Sequence, residues 1–476
     1  MGDQIHRMIT SAGKQVIEDK NALILFTREP EPGRTKTRMM PYFSPEQCVD
    51  FHRCMIKDIS REMKKADVTV IVAYSGDDSK GASGSPVFLR RTMGRNTLFI
   101  KQRGSNIGTR MQNAIDDVLR LGYEKVILIG TDIPELKAET INASLDLLTG
   151  NDVVIGPTYD GGYYLIGMKA AHPEAFNAEL FRVPDVLDET VRSLINAGIT
   201  VGKTDCYSDM DVPEDLAGFR RRMRKDARLR RTHTGRFLAD NAKISVIVPV
   251  YNEAAEIRGM ISQLRPYSDE CEIIIVDGSS TDGTPDMIYE KSGEEPRGIH
   301  VLKDDKCRAV QMNAGAREST GDILFFLHCD CTLPKNFTDE IHRVMASHDW
   351  GCFRVKFRSS NFFMLTNRIF SNHRALCRRL PFGDQGIFID RNLFFEAGMF
   401  PEIQLMEDYE FSMRMRCRKD ARGPGLTRKM LITSARRYGR GTVSILRKEI
   451  QMWKLRHMYR RGTDTGLLQS MYDDIR

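Results

Sequence analysis

The sequence predicts an α/β protein that contains two mostly parallel sheets joined by a basic helical segment. Short runs rich in Ile, Val and Leu alternate with helix-like stretches, and this alternation begins a second time in the C-terminal half. The length of 476 residues also suits two or three domains, each able to bury its own core.

The order of these elements predicts the domain boundaries. The first series has strand-like runs at 22–27, 68–74, 126–130 and 152–156, with helical stretches at 46–65 and 111–121. The second series has strand-like runs at 244–250, 272–276, 300–302 and 323–327. We therefore expect an N-terminal extension (1–20), a first domain (21–219), a basic linker (220–242), a second domain (243–440) and a basic amphipathic C-terminal helix region (441–476).

Composition narrows the class of protein. A hydrophobic fraction of 41% and a charged fraction of 28% exclude wholesale disorder. The longest apolar runs, such as 323–327, are far shorter than the roughly 20 residues of a membrane-spanning helix.

Ten cysteines without a CxxC pair predict free thiols and no zinc site. Because the start has no apolar signal core, we expect a cytoplasmic protein, with the inner face of the membrane as an alternative location.

The net charge of +7 is concentrated in two segments. Residues 217–238 carry nine Lys/Arg against one acid, and residues 414–461 carry sixteen against two. Such segments are either solvated helix faces or surfaces for phosphates and anionic lipid headgroups. We expect no nucleic-acid binding, because no recognition motif or aromatic stacking platform accompanies the charge.

The last basic segment includes an amphipathic helix. Leu446, Ile450 and Trp453 share one face at helical spacing, after the basic run 436–440. We expect this face to pack against the second domain. Peripheral contact with a bilayer, to reach a lipid-linked acceptor, is the alternative.

An acidic residue follows one buried run in each half. Asp132 follows 126–130, and Asp330 follows 323–327. Ligands of open α/β sheets bind beyond the carboxyl ends of the strands, so the two acids indicate two phosphate–metal sites. A helix cap or a turn is the alternative role for either acid alone.

The second half carries an ordered series of motifs. They are VPVYNE (248–253), VDGSSTDGT (276–284), RAVQMNAGA (308–316), HCD (328–330), FGDQG (382–386) and MEDYEF (406–411). On residue chemistry alone, Asp277 can bind a base or ribose, and Arg308 can hold a diphosphate. Asp330 offers a hard oxygen ligand for Mg²⁺ or Mn²⁺.

This succession resembles the family 2 glycosyltransferases of the GT-A fold over about residues 243–440. The resemblance implies a catalytic base at Asp408, a metal ligand at Asp330 and an acceptor side formed by Asp384, Gln385 and Glu407. His328 stands where the family usually has the first acid of a D-x-D pair. The implied donor-binding residues are Pro249, Tyr251, Glu253, Asp277, Arg308 and Asn313.

The first half carries a different series. TREPEPGRTKTR (27–38) is followed by GTRM (108–111), GTDIP (130–134), GPTYDGGYY (156–164) and DMD (209–211). Together they resemble glycosyltransferase-like proteins related to phospholactate and molybdenum-cofactor guanylyltransferases. The resemblance implies nucleoside triphosphate binding by Lys36 and Arg38, and Mg²⁺ binding by Asp132 with Asp209 or Asp211. It also implies a substrate-side turn at Asp160, Gly161 and Gly162.

The two resemblances together predict a bifunctional enzyme with two nucleotide-binding, Rossmann-like and GT-A-like sheets. The second half would transfer a sugar from a nucleotide-diphosphate donor to an acceptor hydroxyl with inversion, using Mg²⁺ or Mn²⁺. The first half would activate a sugar or a related phosphate. The alternatives are a nucleotide-binding module without catalysis in the first half, or an enzyme that transfers only nucleotidyl groups.

Overall fold

The computed structural model describes residues 20–76, 86–94, 97–289, 298–359, 361–435 and 442–473. Residues 1–19 of the predicted extension and the basic run 436–440 therefore lie outside the described residues. The chain divides into two compact units. The N-unit comprises Met1–Arg220 and Arg231–Thr234, and the C-unit comprises Arg221–Arg230 and Gly235–Arg476.

The N-unit is built on a seven-stranded sheet of order β3-β2-β1-β4-β6-β5-β7, in which β6 runs antiparallel to both neighbours. Its strands are β1 (Asn21–Arg28), β2 (Thr69–Ser75), β3 (Leu98–Lys101), β4 (Lys125–Ile129), β5 (Val153–Pro157), β6 (Tyr163–Met168) and β7 (Val201–Lys203). Its helices are α1 (Pro45–Met63), α2 (Val87–Met93), α3 (Ile107–Arg120), α4 (Ala138–Gly150) and α5 (Val186–Asn196).

Three helices follow in the basic segment: α6 (Pro213–Lys225), α7 (Ala227–Arg231) and α8 (His233–Asp240). The strands of the C-unit are β8 (Ile244–Val250), β9 (Cys271–Asp277), β10 (His300–Lys303), β11 (Ile323–Phe326), β12 (Trp350–Phe357), β13 (Ile387–Asp390) and β14 (Gly425–Thr433). Its helices are α9 (Ile257–Leu264), α10 (Thr284–Ile288), α11 (Arg308–Glu318), α12 (Phe337–Met345), α13 (Phe362–Cys377), α14 (Arg391–Glu396), α15 (Glu407–Cys417), α16 (Thr442–Arg460) and α17 (Thr465–Asp473).

The two sheets have the same topology. The C-unit order is β10-β9-β8-β11-β13-β12-β14, again with the sixth strand antiparallel to its neighbours. In the N-unit, Leu23 and Leu25 of β1 pack into one buried cluster, while Ala22 and Ile24 pack into a cluster on the other face. This period of two buries both faces of the sheet between helices, as parallel sheets require. The predicted α/β class with two mostly parallel sheets is confirmed.

The basic segment contributes more apolar burial than its composition suggests. Phe219, Met223, Leu229 and Leu238 are all buried, so the segment predicted as a basic linker also packs apolar side chains. On α6, Phe219 and Met223 are four positions apart and therefore share one face of the helix. All ten cysteines are free thiols.

Among the described residues, none of the helices combines the length and the apolar character that crossing a bilayer demands.

Candidate active site

A cavity of about 580 Å³ lies in the C-unit, beyond the carboxyl ends of β8 and β11. This size suits a small-molecule ligand. The loop after β8 and the start of α11 line one side, and α13, α16 and the 3₁₀ turn Gly383–Gln385 line another. Lining residues include Tyr251, Asn252, Glu253, Arg308, His328, Asn367, Ser371, Arg374, Phe382, Asp384, Met406, Asp408, Lys448, Glu449, Met452 and Arg456.

Side chains of the motif after β9 fix the loop after β8. The backbone N–H of Asn252 donates to Ser280 Oγ at 2.9 Å, and that of Glu253 donates to Thr284 Oγ1 at 2.8 Å. In return, Asn252 Oδ1 accepts from the N–H of Thr281 at 2.8 Å. The Ser/Thr-rich motif therefore rigidifies the segment that carries Tyr251 and Glu253 into the cavity.

Three of the predicted donor-binding residues are buried in structural roles. Pro249 lies buried within β8. Asp277 is 2% exposed, and its carboxylate accepts from the N–H of Ser280 in its own turn at 3.3 Å. The amide of Asn313 donates to the carbonyl of Phe400 at 2.9 Å and accepts from the N–H of the same residue at 3.1 Å. These contacts order the walls behind the cavity, which the three residues do not line.

Arg308 and Glu407 form an ion pair at the cavity wall. Nε of Arg308 donates to Glu407 Oε1 at 2.5 Å, and Nη2 also contacts this oxygen. The Glu407 side chain is only 1% exposed, and burial raises the pKa of its carboxyl although Arg308 opposes the rise. Burial disfavours the charged form of Arg308, but Glu407 and Asp408 outweigh burial and raise its pKa. Glu407 therefore orients Arg308. This ion pair takes the place of the contact with the acceptor that was predicted for Glu407.

Asp408 lies on the cavity wall with both carboxylate oxygens hydrogen-bonded to the backbone. Oδ2 accepts from the N–H of Gly383 at 2.7 Å, and Oδ1 accepts from the N–H of Tyr409 at 2.7 Å. A Cβ atom added to Gly383 would lie 2.8 Å from His328 Nε2 and 3.3 Å from Asp408 Oδ2. Gly383 therefore lies close to both His328 and Asp408, and each oxygen of Asp408 keeps a lone pair for a ligand.

Asp330 is the predicted metal ligand, and it is not among the residues that line the cavity. Asp330 follows β11 and is 6% exposed. Within the described part of the chain, no group of three or more His, Cys, Asp or Glu side chains is arranged to hold an ion. Mg²⁺ commonly takes one or two carboxylates and completes its shell with waters and substrate phosphates. Asp330 is one carboxylate of this kind.

The predicted acceptor side is only partly formed by the predicted residues. Asp384 lines the cavity. Gln385 is fully buried, and its Oε1 accepts from Arg374 Nη2 at 3.2 Å. Arg374 itself lies over the Phe382 ring at 3.5 Å, and burial lowers its pKa. Gln385 therefore positions Arg374. This hydrogen bond takes the place of the contact with the acceptor that was predicted for Gln385.

Sequence reasoning missed three cations that line the cavity. Arg374 comes from α13, whereas Lys448 and Arg456 come from α16. Lys448 and Arg456 are eight residues apart and therefore share a helix face. This spacing is the only sign in the sequence that the two cations act together. No motif marks them, because they reach the cavity only through the packing of two helices.

In the N-unit, Lys36 lies among the predicted acids. Its Nζ is 2.8 Å from Asp132 Oδ1 and 3.6 Å from Asp211 Oδ1, and the side chain is 5% exposed. Arg38 Nη1 donates to Asp211 Oδ2 at 2.5 Å. Burial raises the pKa of Asp132, but the ammonium group of Lys36 outweighs it, so the net shift is downward. The predicted phosphate-binding cations and metal-binding acids are therefore paired with each other.

Two more titratable groups border this cluster. Burial, together with the charges of Asp160 and Asp215, raises the pKa of Asp209 to about 6. His52, which sequence reasoning missed, is buried, with Nε2 3.0 Å from Thr131 Oγ1, and burial lowers its pKa to about 3. It lies between Phe51 and Arg53 on α1 and belongs to no motif, so nothing in the sequence singles it out.

Asp160 lies within the predicted turn. Its Oδ1 accepts from Thr158 Oγ1 at 2.5 Å and from the N–H of Gly162 at 3.1 Å, while Gly161 has a φ of +87° that favours glycine. The three residues form a closed turn beside β6. The carboxylate of Asp160 stabilises this turn.

Comparison with known families gives one match in each unit. Residues 59–180 match a family described as an uncharacterized protein conserved in bacteria (DUF2064), and residues 245–418 match glycosyl transferase family 2. The N-unit thus contains a DUF2064 domain and the C-unit contains a family 2 glycosyltransferase domain. The second match, with the sheet topology, confirms the predicted GT-A-like fold class.

Curated relatives are glycosyltransferases. An uncharacterized glycosyltransferase of Haemophilus influenzae is 27% identical over 186 residues, which is 36% of this chain and 61% of the relative. Glycosyltransferase AglE of Haloferax volcanii is 36% identical over 95 residues, which is 19% of this chain and 31% of the relative. The chain therefore spans less than two thirds of either relative.

Two solved structures are also similar. One is a protein assigned as a nucleotide-diphospho-sugar transferase from Desulfovibrio desulfuricans, with 28% identity and a TM-score of 0.44 over 47% of this chain and 95% of that chain. The other is the mannosyltransferase PcManGT from Pyrobaculum calidifontis in complex with GDP-Man and Mn²⁺, with 18% identity and a TM-score of 0.36 over 48% of this chain and 69% of that chain.

Proposed function

We propose that the C-unit transfers a sugar from a nucleotide-diphosphate donor to an acceptor hydroxyl with inversion, and that Asp408 is the catalytic base. The observation that carries this proposal is the placement of Asp408 on the cavity wall, hydrogen-bonded to Gly383 N–H, with Arg308 on the same cavity. In glycosyl transfer, a carboxylate can accept the proton of the acceptor hydroxyl, and a guanidinium can stabilise the negative charge of the leaving diphosphate.

The reaction follows from these positions. Asp408 takes the proton of the acceptor hydroxyl while the acceptor oxygen forms a bond to the anomeric carbon. On the opposite face of that carbon, the bond to the diphosphate oxygen breaks, and the electron pair leaves with the nucleoside diphosphate. Arg308, oriented by Glu407, stabilises the charge on the departing diphosphate.

A divalent ion, Mg²⁺ or Mn²⁺, belongs to the same proposal. Asp330 would hold it, and the ion would neutralise charge on the diphosphate. The remaining donor contacts that we propose are Tyr251 and Glu253, which line the cavity on the side of Arg308. Lys306 Nζ lies 4.7 Å from the centre of the Tyr251 ring, which adds a cation beside this subsite.

A second function is proposed for the N-unit, because five charged residues of its motifs meet at one place. Lys36, Arg38, Asp132 and Asp211 are joined by ion pairs, and Asp209 is electrostatically coupled to the acids. We propose that this cluster binds the phosphates of a nucleoside triphosphate with Mg²⁺ and supports nucleotidyl transfer. On binding, Lys36 must break its ion pairs with Asp132 and Asp211 and form ion pairs with phosphate instead.

The test of the C-unit proposal uses the full chain and a panel of nucleotide sugars. We expect one donor to raise the melting temperature in the presence of Mn²⁺ or Mg²⁺. With that donor and an accepted hydroxyl compound, NMR of the product should show inverted anomeric configuration. Retained configuration, or stabilisation by no donor in the panel, would contradict the proposal.

The N-unit proposal has a separate readout. We expect calorimetry with a nucleoside triphosphate and Mg²⁺ to show binding that Lys36→Ala abolishes, and added sugar phosphates to release pyrophosphate. Binding without pyrophosphate release from any of them would favour a nucleotide-binding module without catalysis. If Lys36→Ala binds the nucleoside triphosphate as strongly as the wild type does, the cluster is not the binding site.

A further inference from the structure

Two helices of the C-unit concentrate the exposed apolar side chains of the protein. Among the described residues, seventeen large apolar side chains are exposed, and ten of these belong to α13 and α16. Seven of them are between 55% and 79% exposed: Phe362, Ile369, Phe370, Leu376, Val443, Ile450 and Trp453. We call these seven residues the apolar surface. An apolar patch of this kind marks an interaction site in a folded protein.

The apolar surface is additional to the core face of each helix. On their other faces, Met364 of α13 and Ile445 of α16 pack into one buried cluster with β12. Asn361 Nδ2 donates to Thr442 Oγ1 at 3.2 Å, which joins the starts of the two helices. Because both helices already have a core to pack on, their exposed residues are not needed for folding. The predicted packing of Leu446, Ile450 and Trp453 against the domain is therefore wrong.

Positive charge surrounds the apolar surface. Residues 361–379 and 442–461 contain ten Lys/Arg and one acid, Glu449. Arg447 and Lys454 are exposed and follow Leu446 and Trp453 by one position, so they border the apolar stripe of α16. Apolar side chains flanked by cations match the interface of a bilayer that contains anionic lipids.

We propose that α13 and α16 dock this protein on an anionic membrane surface. Phe370, Ile450 and Trp453 would enter the headgroup–acyl boundary, and Arg447 and Lys454 would contact lipid phosphates. A second copy of the chain is disfavoured as the occupant, because it would bring two strongly cationic surfaces together.

Docking would also place the acceptor side of the cavity at the bilayer. The faces of α13 and α16 that point away from the apolar surface supply Asn367, Arg374, Lys448 and Arg456 to the cavity. An amphiphilic acceptor held in the membrane would therefore reach Asp408 between these two helices. Docking itself rests on the apolar surface and the cations that border it, and it is measured without substrate, so it stands or falls independently of the proposed function.

Tryptophan fluorescence gives a direct test, because the chain has only two tryptophans. Trp350 is 1% exposed, whereas Trp453 is 60% exposed, so a change of solvent polarity reaches Trp453 alone. With the full chain and vesicles of phosphatidylcholine containing roughly one third phosphatidylglycerol, we expect a blue shift of the emission and quenching by brominated acyl chains. Trp453→Phe should remove both signals. An unchanged spectrum in these vesicles would overturn the proposal.

Vesicle flotation with matched variants separates docking from adventitious adhesion. We expect Phe370→Ser with Ile450→Ser to weaken binding at least tenfold, and Arg447→Gln with Lys454→Gln to weaken it at least fivefold. Ile195→Ser, at an exposed apolar position of α5, is the control and should bind like the wild type. Equal binding of the Phe370/Ile450 variant and the wild type would overturn the proposal. Self-association without lipid that the same substitutions abolish would also overturn it, because a second copy would then cover the surface.

Discussion

Asp408 and Glu407 are adjacent in the sequence, but their carboxylates lie in different environments. Glu407 is buried against Arg308, which lies 99 positions earlier in the chain, and Asp408 lines the cavity beside Gly383. The two acids start α15, and successive helix positions point about 100° apart. This divergence separates the proposed base from the residue that orients Arg308.

The motifs and the family resemblance could predict part of this site. Tyr251, Arg308, Asp384 and Asp408 all line the cavity, as their motifs suggested. Asn313 belongs to the same motifs, but the backbone of Phe400 occupies its amide. That partner lies 87 positions away and contributes only backbone atoms, so its contact has no signature in the sequence.

Asp209 gives a pH-dependent prediction. Burial and the neighbouring acids raise the pKa of Asp209 to about 6, above its value of about 3.9 in an unfolded chain. The folded state therefore binds more protons between about pH 4 and pH 6, and the free energy of unfolding falls as the pH rises through this window. Asp209→Asn should be more stable than the wild type at pH 7.5 by about 1 to 2 kcal/mol, and this gain should vanish near pH 4. Chemical denaturation at both pH values measures it.

The control is Asp146→Asn, which removes an exposed carboxylate of α4 from the same unit. It should show little difference from the wild type at either pH. A destabilised Asp209→Asn at pH 7.5 would contradict the environment described for Asp209.

At the scale of elements, the 3₁₀ turn Gly383–Gln385 connects three parts of the site. The N–H of Gly383 holds Asp408, Asp384 lines the cavity, and Gln385 holds Arg374. The FGDQG motif was assigned to the acceptor side from its resemblance. Its role in holding the proposed base depends on the approach of α15, which the sequence does not show.

Gly383→Ala should impair transfer without unfolding the protein. The added Cβ would meet His328 Nε2 at 2.8 Å and Asp408 Oδ2 at 3.3 Å, so the base must move. We expect kcat to fall at least 100-fold while the melting temperature changes by only a few degrees. Steady-state kinetics and a thermal melt measure the two effects.

Gly259→Ala is the matched control in α9, because an added Cβ there meets nothing within 4 Å. It should keep full activity and gain slightly in stability. Full activity of Gly383→Ala would show that the contact with Asp408 is not needed for transfer.

Helix α6 was predicted as part of a linker, but its cations include a buried one. Arg224 Nη1 donates to Asp390 Oδ1 at 2.6 Å, and Nη2 donates to Glu396 at 2.7 and 2.8 Å. Burial lowers the pKa of Arg224, but these two acids outweigh it and raise the pKa overall. In a run of nine cations, the sequence alone does not show that Arg224 is among the buried ones, because its acidic partners lie about 170 positions away.

Arg224→Met should therefore destabilise the C-unit. It leaves Asp390 buried without its cation, which costs about 2 to 4 kcal/mol. Fluorescence of the buried Trp350 in β12 reports this unfolding in urea. Arg221→Met is the control, because its side chain is 53% exposed and 3.4 Å from Glu396, and it should cost less than about 1 kcal/mol. Equal losses for the two variants would contradict the buried role of Arg224.

At the scale of the whole molecule, one topology occurs twice. Both sheets place strands in the order three-two-one-four-six-five-seven, with the sixth strand antiparallel. The alternation of apolar runs predicted the class and the restart of the series. It could not predict the antiparallel strands, because strand direction depends on connections that leave no mark on the apolar pattern.

The boundary between the units gives a prediction about fragments. Arg224 and Arg230 pair with Asp390 and Asp349 inside the C-unit, so this unit needs residues before 231. A fragment 213–476 should unfold in urea like the C-unit of the full chain, followed by Trp350 fluorescence. A fragment 243–476 should be less stable by about 3 kcal/mol or more, or insoluble. Equal stability of the two fragments would place the boundary after 242, as the sequence suggested.

The most direct test of the account is the kinetic effect of Asp408→Asn in the full chain. Proton acceptance is needed only in the transition state, so kcat should fall roughly 10² to 10⁴-fold while the dissociation constant of the donor changes less than about twofold. The control is Glu410→Gln. Glu410 lies two positions after Asp408 on α15 and is hydrogen-bonded to Tyr459, so this variant should retain wild-type kcat. If Asp408→Asn keeps wild-type turnover, or loses donor affinity as strongly as it loses turnover, Asp408 is not the base and the account of this site is contradicted.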